Sequence, residues 1–465
     1  MGINRRFHLA TMRNQLQPRS EVDPIREKGV VVTLQRITTA SCFLAMTLVW
    51  SNGALAQGAP DRMFHLGLDA GLEYTDNVRR ASANEESETV GIVGLTFGLT
   101  TDRPRLDANI AANLEYREYF DDAYDSDIVG GVAGLLSYAL IPERFVWVLT
   151  DNFGQVSRDR RAVDTPDNRE NVNYFSTGPD ITLPLTGRSS IRLSGRYSDT
   201  YYEDRDNDTR GIAGSLALIR RMSDTSNLSL NSSSTDVDYD EEIYVDYRID
   251  QAFLRWETLT ERTTLTLDGG YNRHEPDIGE RSGGLLARLN LSRAVASRSR
   301  IGLTIGTAFE TPGEGLRRDQ DLTGIETGAD DAISATDAYQ SDHAFLSWTT
   351  DWGRTSFTAG LHARSEEHEA VPNADRDGYG ASLRWSRQIS PRADIYVAGG
   401  YSKEEIVNVD FEFDEWSVGF GMRFQVTQSI AMRATVEHIE GSSEAGTRDF
   451  KENRAYIGFA YTRSR

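Results

Sequence analysis

Past residue 56 this chain has no cysteine, only two lysines (Lys403 and Lys451) and no apolar run long enough to cross a membrane as a helix. The first absence excludes a disulfide scaffold. The third excludes a helical membrane protein, because a spanning helix needs about 20 consecutive apolar residues. Positive charge is scarce too: 71 acidic against 50 basic side chains give a net charge of −21, which excludes a nucleic-acid binder working through net positive charge. There are 12 prolines in 465 residues. Yet the chain is not short of aromatics, with 18 Phe, 19 Tyr and 7 Trp, and acidic disordered chains are poor in these. A polar, aromatic, glycine-rich chain without apolar runs points to a large β structure whose two faces differ.

The N-terminal 56 residues read as a targeting segment. Arg26, Lys28 and Arg36 precede an apolar stretch from Ile37 to Trp50, followed by Ser51-Asn52-Gly53-Ala54-Leu55-Ala56. A basic region, a short apolar core and a small-x-small site form a secretory signal peptide with cleavage expected after Ala56. The single cysteine, Cys42, lies inside that apolar core, away from a lipoprotein cleavage point. Residues 1–56 carry seven basic and three acidic groups, so residues 57–465 keep 43 and 68, and 41 of those 43 are arginine.

The rest of the chain has a period of two. Leu106, Ala108, Ile110, Ala112, Leu114 and Tyr116 alternate with Asp107, Asn109, Ala111, Asn113, Glu115 and Arg117. Alternation over about a dozen residues exceeds an ordinary sandwich strand and suits a tilted strand crossing a bilayer, which takes about 9–11 residues. The pattern recurs at Phe64–Tyr74, Val93–Leu99, Ile191–Tyr197, Leu265–Tyr271, Tyr379–Trp385, Val418–Phe424, Ile430–Val436 and Ile457–Tyr461. Connections alternate in length. Nine are short: Thr101–Pro104, Pro142–Arg144, Thr186–Arg188, Ser223–Thr225, Thr260–Arg262, Ala294–Ser299, Asp351–Gly353, Ser390–Arg392 and Thr427–Gln428. Between them lie longer acidic ones, such as Asn77–Glu88, Ser157–Glu170, Glu203–Thr209, Asp236–Glu242, Thr311–Asp337 and Ser365–Asp377. Short turns on one side and long loops on the other are the layout of an outer-membrane barrel. The expected fold is all-β: a transmembrane, antiparallel, up-and-down β-barrel over residues 57–465. Nine turns give 20 strands, or 18 if the weak segments around 127–140 and 243–258 drop out.

The first strand and its exit, Gly67 to Val78, carry Tyr74, Asp76 and Asn77 in a Tyr-x-Asp-Asn element. This resembles the family of outer-membrane β-barrel porins found with exopolysaccharide and PEP-CTERM (exosortase) gene clusters. The resemblance implies a bacterial outer-membrane location and a role in polysaccharide export or assembly, and it supplies no catalytic residues.

Function candidates follow from the alternation. Arg117, Arg192, Arg196, Arg255, Arg288, Arg364, Arg384, Arg423 and Arg433 all occupy the polar face of strands, which in a barrel lines the lumen. Arginine keeps its charge and binds carboxylate or phosphate through two parallel hydrogen bonds. These nine are candidate pore-lining residues for anionic solutes. The alternative is a wall network in which they pair with lumen carboxylates such as Asp107, Glu115, Asp268, Glu310 and Glu437. Asp204, Asp206 and Asp208 begin like an EF-hand loop, but Thr209 stands at the glycine position and Ser215 at the bidentate glutamate. No metal or cofactor is therefore expected, and the acidic loops read as a solvated anionic surface. The 27-residue Thr311–Asp337 loop either folds inward and narrows the pore or stays outside. Tyr74, Tyr116, Tyr119, Phe120, Tyr138, Trp147, Tyr201, Tyr202, Trp256, Trp348, Trp352 and Trp416 are read as belts at the bilayer interfaces. Neither the six histidines past residue 56 (His65, His274, His343, His362, His368, His438) nor Glu366-Glu367-His368 has a spacing that marks an enzyme, so none is expected. The leading function is a porin-like conduit for exopolysaccharide or anionic solutes; the others are a non-conducting assembly barrel partnering a secretion system, and a rim enzyme. Expected partners are outer-membrane lipid and lipopolysaccharide, polysaccharide or periplasmic export components, and no nucleic acid.

Overall fold

A computed structural model describes residues 62–464, apart from 160, 324–336, 370–373, 408, 410 and 445–447. The targeting segment with Cys42 and the cleavage point after Ala56 lies outside the described residues. Twenty strands follow one another: β1 (Arg62–Thr75), β2 (Glu88–Arg103), β3 (Leu106–Tyr119), β4 (Asp127–Ile141), β5 (Phe145–Ser157), β6 (Arg169–Thr186), β7 (Ser189–Tyr202), β8 (Thr209–Arg221), β9 (Ser226–Tyr239), β10 (Tyr247–Leu259), β11 (Thr263–Pro276), β12 (Ser282–Ala296), β13 (Ser299–Glu310), β14 (Tyr339–Trp352), β15 (Thr355–His368), β16 (Arg376–Ser390), β17 (Ala393–Ile406), β18 (Phe411–Gln425), β19 (Ile430–Ser443) and β20 (Phe450–Ser464). Each pairs antiparallel with its sequence neighbours, and β1 pairs with β20 from His65↔Ser464 to Thr75↔Arg454, so the sheet closes. Closure leaves no unpaired edge, which is what a sheet needs in a medium without hydrogen-bond partners. The count is the expected 20; the two weak segments are β4 and β10.

All nine short turns fall where expected. The long loops do too, with two shifts: Asp236 and Asp238 belong to β9, whose connection to β10 is residues 240–246, and Ser365 to His368 belong to β15 while Arg376 and Asp377 open β16. Four long connections close in the same way. An aspartate just before or beginning the next strand accepts the backbone N–H at the end of the previous one: Tyr202 N to Asp208 (2.8 Å), Tyr239 N to Asp246 (2.8 Å), His368 N to Asp375 (2.7 Å) and Ser443 N to Asp449 (2.8 Å). Aspartate side chains suit this because they mimic a backbone turn.

The alternation separates two faces. Outward side chains include Leu68, Val93, Tyr116, Leu216, Phe420 and Ile457, exposed large hydrophobics. The other face turns inward. At the short-turn end several polar inward residues remain accessible, among them Asp107, Asn109 and Arg192. At the long-loop end the inward residues Val90, Val129, Val156, Tyr202, Tyr247, Tyr339 and Phe450 are all buried. Loops therefore fold over the lumen at one end only. Of the aromatics read as belts, Tyr119 (6% exposed) and Tyr202 (3%) are corrections: they point inward and anchor loops, because they fall on the opposite parity from Tyr116 and Tyr201.

Candidate functional site: a covered mouth above an arginine-lined vestibule

The long connection after β13 contains a helix, α1 (Pro312–Thr323). Its start is a capping box. Glu314 N donates to Thr311 Oγ1 (3.3 Å), Thr311 N donates to Glu314 Oε2 (3.4 Å), and Pro312 occupies a position where no amide hydrogen is needed. β13 stays paired with β14 through Glu310 but with β12 only to Thr307, so its last residues lean away from the wall. Phe309 joins Val237, Tyr247, Ile249 and Ala338 in an apolar cluster that ties β9 and β10 to this leaning segment.

α1 is fixed on two sides. Leu316 (3% exposed) packs among Val156, Val172 and Tyr202 on β5, β6 and β7, with Tyr174 beside them. Gln320 Nε2 donates to the Phe153 carbonyl (2.8 Å), and its Oε1 accepts from Asn152 Nδ2 (2.8 Å). Toward its own strands, Arg318 pairs with Glu310 and donates to Ser341 (2.6 Å). Gly313 and Gly154 permit this approach: a Cβ at Gly313 would collide with the Tyr174 ring, and one at Gly154 would stand 3.1 Å from Gln320 Nε2. α1 thus joins β13–β14 to β5–β7 across the inside of the barrel. The open question of the Thr311–Asp337 loop is answered for its first half, which lies inside; residues 324–336 are outside the described set.

A second fastening is ionic. Arg80, in the β1–β2 loop with a left-handed φ of 48°, reaches Glu452 (3.1 Å), Glu415 (3.5 Å) and Asp164 (4.0 Å) and covers the Phe450 ring. Asp164, in the β5–β6 loop, also takes two hydrogen bonds from Arg169 (2.8 and 2.9 Å). Burial alone would raise the Asp164 pKa, but the guanidiniums of Arg169, Arg80 and Arg454 hold it below the usual carboxylate range. Two more buried carboxylates hold neighbouring loops by backbone hydrogen bonds. Glu88 accepts from Asp121 N (2.9 Å) and Ala123 N (3.1 Å), and Glu170 from Asp204 N (3.1 Å) and Arg205 N (2.9 Å).

The Tyr-x-Asp-Asn element lies at the seam where the barrel closes. Tyr74 points outward. Asp76 accepts from Asn453 N and Nδ2 (both 2.7 Å) on β20. Asn77, fully buried, donates to the carbonyls of Ala81 (2.8 Å) and Lys451 (2.9 Å) and accepts from Ala81 N (2.9 Å). Its chemistry here is to join the first and last strands.

Register places all nine candidate arginines on the inward face. Four of them are in ion pairs. Arg117 lies 3.0 Å from Glu115, Arg196 is 2.7 Å from Asp180, and Arg364 is 3.9 Å from Glu404. Arg255 makes two hydrogen bonds to Asp268 (2.7 and 2.8 Å). The other five have no carboxylate within 4 Å among the described residues. Arg288 is 3.5 Å from the Gln251 amide, Arg384 lies 3.9 Å over the Tyr396 ring, Arg423 donates to Gln425 (3.3 Å), and Arg192 and Arg433 are open to the lumen. Arg423 and Arg433 are direct cross-strand partners in the β18–β19 register, near the short-turn mouth; on its other side Arg423 faces Asp394 of β17, which does not come within 4 Å of it. Arg423 Nε is buried without a hydrogen-bond partner. Of the five carboxylates offered as wall partners, Glu115 and Asp268 pair with candidate arginines and Glu310 with Arg318 of α1.

The histidine readings resolve differently. Glu366 is held by Arg376 (2.5 and 3.0 Å), and His368 Nδ1 pairs with Asp337 (2.9 Å) while its buried Nε2 has no partner. No hydroxyl nucleophile is hydrogen-bonded to that histidine among the described residues.

No protein-family model and no curated protein matches this chain. Solved structures to which it is similar include the ferric enterobactin receptor PfeA of Pseudomonas aeruginosa, at 11% identity and a TM-score of 0.44 over 88% of this chain and 81% of that one. The FrpB iron transporter of Neisseria meningitidis matches at 10% identity and 0.41, over 87% and 82%. OccAB3 of Acinetobacter baumannii matches at 10% identity and 0.36, over 87% and 100%.

Proposed function

We propose that this chain is a bacterial outer-membrane conduit for anionic solutes, closed at its outer mouth by α1 and the loop network, with an anion-attracting vestibule on the periplasmic side. The apolar outward face and the short-turn/long-loop asymmetry support the membrane placement. The observation that carries the anionic preference is the Arg423–Arg433 pair. Like charges directly opposite on neighbouring strands are unfavourable, and an anion in the lumen relieves that repulsion. Arg192, Arg288 and Arg384 extend the unneutralised charge up the wall. α1 narrows the passage at the long-loop end, and the arginines below it act by raising the local concentration of anions on its short-turn side.

An acidic polysaccharide fits this chemistry, since its carboxylates match guanidinium forks, and the Tyr-x-Asp-Asn resemblance leans the same way. The test is current block in planar bilayers by an anionic oligosaccharide, oligogalacturonate, against a neutral oligosaccharide of equal length. Block by the anionic chain from the short-turn side, lost in Arg423→Gln/Arg433→Gln, is the expected result. Equal block by both sugars, or none by either in an open channel, would overturn the reading.

A further inference from the structure

The outward face changes character over β8–β11. On β1 it runs Phe64, Leu66, Leu68, Ala70, Leu72, Tyr74, and on β18 Trp416, Val418, Phe420, Met422, Phe424, apolar at each step. On β9 it reads Asp236, Ser234, Ser232 before it reaches Leu230 and Leu228. Beside them, register sets Gly214 and Leu216 of β8 on one side and Asp250 and Ala252 of β10 on the other. Ser232 lies halfway along a 14-residue strand. These residues, with Tyr271 and Arg273 of β11, line a shallow hollow of about 510 Å³ in the outer wall. A side chain at Gly214 or Gly269 would touch nothing within 4 Å. Asp250 accepts from Ser234 Oγ (2.7 Å) and Arg273 (2.6 Å), so a charged pair sits on a face that elsewhere meets lipid.

The loops above the same strands show the opposite mismatch. Ile243, in the β9–β10 loop, is 82% exposed, and Ile278, in the β11–β12 loop, 79%; no other large hydrophobics among the described residues are as open. One sector therefore offers polar groups to the bilayer and apolar groups to water. Small and polar residues on a membrane face, and an apolar patch above it, are the marks of a protein contact.

We infer that this sector binds a second copy of the chain, about a two-fold axis along the membrane normal between β9 and β10. The charges argue for a self-contact. Across the four strands the outward charges near the long-loop end are Arg210 on β8, Asp236 and Asp238 on β9, Arg248 on β10 and Glu275 on β11; within the chain Arg248 holds Asp236 (2.5 Å), Arg210 holds Asp240 (2.8 Å) and Arg273 holds Glu275 (3.1 Å). The rotation reverses that order, so Asp236 meets the second copy's Arg248 and Arg210 meets the second copy's Glu275, opposite signs at both. Isologous contacts need this self-complementarity. The same axis brings Ile243 against its own symmetry mate, while Gly214, Ser232 and Ala252 let the two walls approach.

The inference rests on the membrane reading above, and one set of variants separates their failures. In the full chain carrying Cys42→Ser, Ser232→Cys and Ile243→Cys are placed singly, with Leu361→Cys on the outward face of β15 as the control. Each is reconstituted in lipid vesicles and oxidised. Disulfide-linked dimer at Ser232→Cys and Ile243→Cys, about tenfold above Leu361→Cys, is expected. Ser232→Leu/Ser234→Leu, which restores an apolar face, should shift the native mass to monomer without altering the barrel's heat-modifiable migration. A membrane-inserted barrel that cross-links no better at Ser232 and Ile243 than at Leu361, or keeps its mass in the leucine variant, overturns this inference alone. A chain that stays in the aqueous fraction overturns the membrane reading and this one with it.

Discussion

If α1 closes the lumen, truncating the side chain that seats it must open the channel. Leu316 is 3% exposed and touches three buried residues from three strands. Leucine-to-alanine changes at such sites cost about 2–5 kcal/mol. The barrel loses little of this, because its strands pair independently of α1; the loss falls on the docked state of the helix. Each 1.4 kcal/mol is a factor of ten, so the undocked population of Leu316→Ala rises roughly 30-fold to several thousandfold. Gln320 and Arg318 keep their own partners and set a ceiling on the effect, which Leu316→Ala/Gln320→Ala should lift by about another 1–3 kcal/mol. The assay is open probability of single channels at fixed voltage, with heat-modifiable gel migration confirming a folded barrel. Leu361→Ala, on the outward face, serves as the control. A folded Leu316→Ala barrel with wild-type open probability and conductance would refute the idea that α1 is the closure.

Three further outcomes follow from the same geometry. Gly154→Val places methyl groups against Gln320 and Leu316 and should raise open probability in the same direction, whereas Gly187→Val, at a turn where a Cβ meets nothing, should not. Asp164 is held ionised by three arginines, so its contribution is present above the ordinary carboxylate pKa of about 4 and is lost as pH falls through its lower folded value. Protease resistance of the β5–β6 loop should thus hold from about pH 7 down to about 4, decline only below that, and be weak at every pH in Asp164→Asn. Asn77→Ala leaves three part-buried backbone groups at the closing seam without their side-chain partner and should cost about 1–3 kcal/mol, read as a lower temperature for loss of the compact gel form, with Asp76→Ala milder because Asn453 remains solvated.

Much of this fold was legible from local pattern. A period of two fixes which residues share a face, so the inward placement of all nine arginines needed only parity, and nine turns gave the strand number. The first half of the Thr311–Asp337 loop carries a local signal as well: Thr311-Pro312-Gly313-Glu314 is a capping box with proline at the first helical position. The same parity separates Tyr119 from Tyr116 and Tyr202 from Tyr201. Val90 and Ile92, apolar on a polar face, break the alternation where the loops fold in; such breaks mark the covered end. What no local pattern carries is contact across the lumen. Arg80 meets Asp164 from a loop 84 residues earlier, and Leu316 lies against strands far back in the chain; only the closed barrel brings these together. Register alone does not decide neutralisation either: it sets Asp268 opposite Arg255 and Asp394 opposite Arg423, yet only the first pair closes into hydrogen bonds.

The central claim is an anion-selective passage set by unneutralised arginines. Its most direct test is the reversal potential of Leu316→Ala channels under a tenfold KCl gradient, with and without Arg423→Gln/Arg433→Gln. A chloride-side reversal that moves toward zero when the two arginines are removed is the predicted result. A potassium-side reversal, or a chloride preference unchanged in the double variant, would contradict it.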